Sequence, residues 1–145
     1  MRHVALVVCI AACVLGWRAH TDRDVVGAQA PKPVMMTRIY TGADGLSHAE
    51  EISMKLSPGG ISDMMKASGA QFSRRAPGPA SDWHVGPRRQ LVITLSGRAE
   101  LEVAGGRKVA VGPGHITLIE DTTGKGHITQ NLGLEDRIVV TIPLE

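Results

Sequence analysis

From residue 36 onward, short apolar runs alternate with Gly- and Pro-rich breaks, and two of the runs repeat every second residue. Thr37–Thr41 reads as a short strand. In Glu51–Leu56, Ile52, Met54 and Leu56 fall on one side and Glu51, Ser53 and Lys55 on the other, the period of a half-buried strand. Pro58-Gly59-Gly60 is a turn, Ile61–Ser68 predicts a short helical turn stopped at Gly69, and Ala70–Arg75 predicts a strand ended by Pro77-Gly78-Pro79. Gln90–Leu95 is almost continuously apolar and suits burial on both faces. After Ser96-Gly97, Ala99, Leu101 and Val103 alternate with Glu100 and Glu102, and Gly105-Gly106 turns the chain into Lys108–Val111. His115–Ile119, His127–Gln130 and Arg137–Ile142 complete the set. Short strands at this spacing, with no recurring amphipathic helix between them, predict an all-β sandwich or barrel rather than a parallel α/β sheet.

The N-terminal region has a different pattern. Arg2 and His3 precede the apolar run Val4–Trp17, and Ala28-Gln29-Ala30 follows some polar residues. A positive start, an apolar stretch too short to span a membrane comfortably and a small-x-small site together fit an export signal. Ile10-Ala11-Ala12-Cys13 also has the look of a lipoprotein cleavage box. The expected organisation is a signal peptide or N-terminal extension over 1–30, a linker over 31–35 and one β-barrel domain over 36–145. The folded domain is then exported, periplasmic or secreted, or cytoplasmic if translation begins at Met35 or Met36. Both cysteines, Cys9 and Cys13, lie in the apolar run, so the domain itself offers neither a disulfide nor a thiolate metal ligand.

Composition narrows the picture further. Aromatics make up 3% of the chain, so the core has to come from Val, Ile, Leu, Met and Ala. A net charge of +2, with Arg74-Arg75 and Arg88-Arg89 as isolated pairs, gives no basic stripe for nucleic acid.

Two Gly-punctuated stretches carry the candidate chemistry. The first reads His84-x-Gly86-x3-Gln90-x6-Gly97, and the second Gly114-x5-Glu120 followed by His127-x3-Asn131. This layout resembles the paired motifs of the cupin superfamily, with the likeness running over roughly Gln71–Leu144. The resemblance implies a double-stranded β-helix, or jelly-roll barrel, whose motif histidines and glutamate converge on a divalent metal. Three positions depart from the family pattern. Gly86 stands where a second histidine is usual, Gln90 where a glutamate is, and Glu120 where a proline is. Carried over residue by residue, the implied metal ligands are His84, Gln90 and His127, and the implied ion is Zn, Fe, Mn or Ni, held only weakly, because an amide adds no negative charge, unless Glu120, Asp82 or Asp121 joins them.

Two classes of function remain open. One is an enzyme using His84 or His127 as general acid or base with Glu120 as partner, for an isomerase-, lyase- or cyclase-type reaction. Glu120 shares strand parity with Ile116 and Leu118 and faces inward if they do. The other is a non-catalytic barrel that binds or senses a small molecule, with or without metal. The partner expected in either case is a small-molecule ligand, with no nucleic acid, no membrane for the folded domain and a homodimer left open. Gly97 and Asn131 read as turn residues, Asp121-Thr122-Thr123-Gly124 as turn chemistry, and His115 as a surface residue.

Overall fold

The computed structural model describes residues 32–145; the signal-like run, both cysteines and the 1–30 extension lie outside them. Among the described residues nine strands follow in order: β1 (Met35–Thr41), β2 (Ser47–Ser53), β3 (Gln71–Arg75), β4 (Gln90–Ser96), β5 (Arg98–Glu102), β6 (Lys108–Val111), β7 (Ile116–Glu120), β8 (Ile128–Leu132) and β9 (Arg137–Pro143). The one helical element among them is a single 3-10 turn, Ala104–Gly106, at the glycine pair expected to turn the chain.

The strands form two sheets. The larger has the order β2-β1-β7-β4-β9-β3 and the smaller β6-β5-β8. Neighbours run antiparallel except β1 and β7, which are parallel. Chain order is thus scrambled across each sheet, as in a double-stranded β-helix, and the all-β jelly-roll expectation holds. β4 lies between β7 and β9, and that central place explains its apolar run: alternate residues serve opposite faces.

Each face of the large sheet has its own core. Ile39, Ala49 and Ile119 pack with Ala99, Leu101, Val103 and Val111 of the small-sheet side, so this cluster lies between the sheets. Met36, Leu91, Leu118 and Leu144 form a second cluster with Ile52, Met54, Ile116 and Ile142, from the large sheet and its flanks. These residues have the opposite strand parity, so they occupy the outer face.

Two sequence expectations change here. The second strand lies earlier than Glu51–Leu56, because β1 pairs with it in register from Thr41↔Ser47 to Met35↔Ser53. No helical turn forms over Ile61–Ser68: Ile61 is 72% and Met64 95% exposed, so a helix there has no apolar face to bury. The segment runs instead as an irregular strap, tied by an Ala67↔Leu144 bridge and by the Glu145 N–H donating to the Lys66 carbonyl.

Candidate functional site

The two motif histidines meet on backbone hydrogen bonds. His84 and His127 form an isolated antiparallel bridge, His84 N–H donating to the His127 carbonyl at 3.0 Å and His127 N–H to the His84 carbonyl at 2.9 Å. Gly126 makes this approach possible. Its φ is +74°, and a Cβ there would run into the His84 carbonyl. The imidazole rings lie 4.6 Å apart, centroid to centroid, tilted by 53°.

Hydrogen bonding fixes both imidazoles in one tautomer. His127 is buried, and its Nδ1 is 2.6 Å from Oδ2 of Asp121, whose side chain is wholly buried. A carboxylate accepts, so Nδ1 of His127 carries the hydrogen. His84 is exposed at the mouth, with its Nδ1 2.9 Å from the Asp82 carbonyl and 3.2 Å from the Ser81 hydroxyl. That carbonyl likewise requires a hydrogen on Nδ1. Each ring therefore keeps Nε2 as a free lone pair, able to accept a proton, accept a hydrogen bond or ligate.

Both histidines and Gln90 line one cavity of about 630 Å³. The volume is that of a small-molecule site. The inward residues of β4, β7 and β9 supply its walls, among them Val92, Thr117, Ile119 and Val139. The structure thus brings together His84, Gln90 and His127. It does not bring Glu120 with them.

Glu120 lies on the opposite face of β7, where Arg38 Nε donates to its Oε2 at 2.5 Å and Arg89 Nε to its Oε1 at 2.6 Å. Burial alone would raise its carboxyl, but the hydrogen bonds from Arg89 and Arg38 outweigh it and hold the group below its ordinary value of 4.5. As the partner expected for a catalytic histidine, Glu120 is replaced by the next residue, Asp121. The parity argument held, but Ile116 and Leu118 face the outer cluster, and Glu120 follows them.

Asp121 is the residue that meets His127; the sequence offers it as an extra metal ligand, but it reads first as turn chemistry there. The available signal was its place one residue beyond Glu120, on the parity of Ile119. Its second oxygen, Oδ1, is buried without a hydrogen-bond partner among the described residues. Two further readings change. His115 is half-buried, with Nε2 3.0 Å from the Thr37 hydroxyl, so it is no surface residue. Asn131 lies within β8, paired with Ala99, and not in a turn. Gly97 does need glycine: its φ is +72°, and a Cβ would press on the Arg137 backbone.

For a resident metal the donor set is short. His84 and His127 offer two nitrogens and Gln90 a neutral oxygen, and no group of three His, Cys, Asp or Glu side chains among the described residues could hold an ion. The family's second histidine has no room either, since a Cβ on Gly86 would strike the Cγ2 methyl of Ile119. These residues do not fit a tightly held ion.

The strand order and the pairing of the two motif histidines across the barrel decide the fold. It is a cupin-type barrel. No protein-family model matches the chain, and no curated protein is similar to it. Some solved structures resemble it distantly. A Cupin 2 conserved barrel domain protein from Salinispora arenicola is 24% identical over 50% of this chain and 59% of its own, with a TM-score of 0.40. A conserved protein with a double-stranded β-helix domain from Klebsiella pneumoniae is 24% identical over 61% and 80%, with a TM-score of 0.42. An epimerase from Legionella pneumophila, in complex with dTDP-4-keto-L-rhamnose, is 16% identical over 77% and 72%, with a TM-score of 0.38.

Proposed function

We propose that this cupin-type barrel takes a small organic molecule into its cavity and moves a proton on it, with His127 as the base, Asp121 as its positioning residue and His84 as a second acid or base at the mouth. One observation carries this reading: the buried 2.6 Å bond from His127 Nδ1 to Asp121, at the wall of a cavity of ligand size. A carboxylate bonded to one ring nitrogen orients the imidazole and leaves the other nitrogen to take a proton from a ligand. The polar walls orient the molecule, and the apolar ones exclude water around it. No step is assigned to a metal, because the donors do not fit one. A non-catalytic binder, the alternative, would use the same pocket without needing the Asp121–His127 bond.

The test follows exchange of carbon-bound protons for deuterium. A panel of small carbonyl acids is incubated in D₂O with the full chain, and the signal of the proton next to the carbonyl is followed by NMR. Exchange above the buffer rate is expected for at least one member. His127→Ala and Asp121→Asn should each lower it, by roughly 10²-fold or more for the base itself. If no member exchanges faster than in buffer, or His127→Ala exchanges as fast as the parent, the acid/base reading fails and the binder remains.

A further inference from the structure

The cavity has a second pole, away from the histidines. Arg75 on β3 and Arg137 on β9 are register partners and both line it. Like charges placed directly opposite on one face of a sheet repel. Neither arginine has a carboxylate partner among the described residues, whereas Arg38, Arg74 and Arg89 all have one. Arg137 is also deep, only 5% exposed. Its Nε and Nη2 donate to the Thr94 hydroxyl at 3.2 and 2.8 Å, and the rest of its donors find no acceptor among the described residues. Burial, and then the charge of Arg75, push the Arg137 guanidinium down to about 10 from its ordinary 12.5.

A buried cation facing a second cation costs stability unless something of opposite charge joins it. The chain has placed this pair at the wall of a cavity, where a ligand can reach it. Thr117 and Asn131 also line the cavity, but Thr117 Oγ1 and Asn131 Oδ1 are themselves buried, so what the lining asks of a ligand is set by the arginines, which call for an oxyanion.

We propose that the ligand of the barrel is a small organic oxyanion, a carboxylate or phosphate, whose charged group is gripped by Arg137 and Arg75 while its body extends toward His84 and His127. This deepens the reading of the cavity as a small-molecule site. It rests on that reading and not on the proton-transfer step. Arg137 is fixed in place by Thr94 and by Gly97 beneath its backbone, so the deeper half of the grip is preorganised. Arg75 is exposed and supplies the outer half. Along β9, four residues separate the level of Arg137 from that of Thr141, about 13 Å at strand spacing. That span suits a molecule of several carbons lying lengthwise in the cavity.

The experiment titrates gluconate, acetate, inorganic phosphate and neutral sorbitol into the ¹⁵N-labelled full chain at fixed ionic strength, following the arginine Nε–H signals. Gluconate or phosphate should shift the Arg137 signal saturably, and sorbitol should not. Saturation by gluconate alone marks a carboxylate ligand, and by phosphate alone a phosphate ester. Arg75→Gln should weaken the Arg137 response about tenfold, and Arg137→Met should abolish the saturable shift of the Arg75 signal. If Arg137→Met does not fold, the exposed Arg75→Gln decides alone. Shifts linear in concentration for every anion, or unchanged in Arg75→Gln, would overturn the proposal. A saturable anion response in a parent chain that shows no proton exchange would leave this inference standing while the acid/base reading fell.

Discussion

At the residue scale, one position of difference along β7 decides the chemistry. Leu118 and Ile119 are both buried, one in the outer cluster and one in the inner. A strand apolar on both faces gives the sequence no mark of which side is inside, and a shift by one residue exchanges the faces. The carboxylate beside His127 is therefore that of Asp121 and not that of Glu120. His84, Gln90 and His127 were legible because their spacing carries the family motif. Asp121 was not, because an Asp before Thr-Thr-Gly is equally good turn chemistry. Gln90 provides the test at this scale. Gln90→Glu restores the charged oxygen that the metal-binding pattern uses and should raise Zn²⁺ affinity at least tenfold over a weak parental response, about 1.4 kcal/mol. Without metal, the same carboxylate inside the cavity should lower stability by on the order of a few kcal/mol. Calorimetric titration and thermal unfolding read the two effects separately. A variant that gains no Zn²⁺ affinity would mean that His84, Gln90 and His127 do not converge on a common point.

At the element scale, strand existence was easier to read than strand position or facing. β4, β5 and β6 lie within a residue or so of their sequence ranges, since Gly and Pro bound them closely. β2 began earlier than expected because Ser47–Glu50 has Ala49 as its one apolar residue, and its place is set by pairing with β1 and not by alternation. His115 misled for a related reason. It precedes β7 on the parity of the inner face, and its environment comes from β1 and β2, distant in sequence. Its Nε2 meets Thr37, which in turn donates to Glu51. Burial lowers the His115 imidazole below its ordinary 6.5; the nearby Arg137 charge lowers it further, and Glu51 opposes both. The folded value is thus below the unfolded one, and protonation favours unfolding. The contribution is fully present above about pH 6.5 and is lost as pH falls through that value toward the lowered one. The stability advantage of the parent over His115→Gln should accordingly shrink between pH 8 and pH 5, in urea unfolding followed by circular dichroism. An advantage that grows on acidification would contradict the sign of the shift.

At the scale of the whole molecule, the barrel depends on where the chain enters it. β1 is an interior strand of the large sheet, between β2 and β7, so its loss would leave the edge strand β2 without a partner and expose the edge of β7. It begins at Met35, and the Val34 carbonyl already accepts a hydrogen bond from Met54 N–H at 2.8 Å. The compact unit accordingly runs from Pro33 to Glu145. The apolar pattern alone points to a start near Met36, since Met36 is the first residue to enter a core cluster. Hydrogen bonding moves that boundary back, because a chain begun at Met36 loses the Met35↔Ser53 pair and the acceptor for Met54. Such bonds are worth about 1 kcal/mol each. A chain starting at Pro33 should therefore unfold cooperatively, with its midpoint near that of the full-length chain. One starting at Met36 should also fold, but less stably by about 1–2 kcal/mol. Parallel urea titrations of the three chains distinguish the cases. Aggregation of the Pro33 chain beside a well-behaved full-length protein would mean that residues before Pro33 belong to the folded barrel.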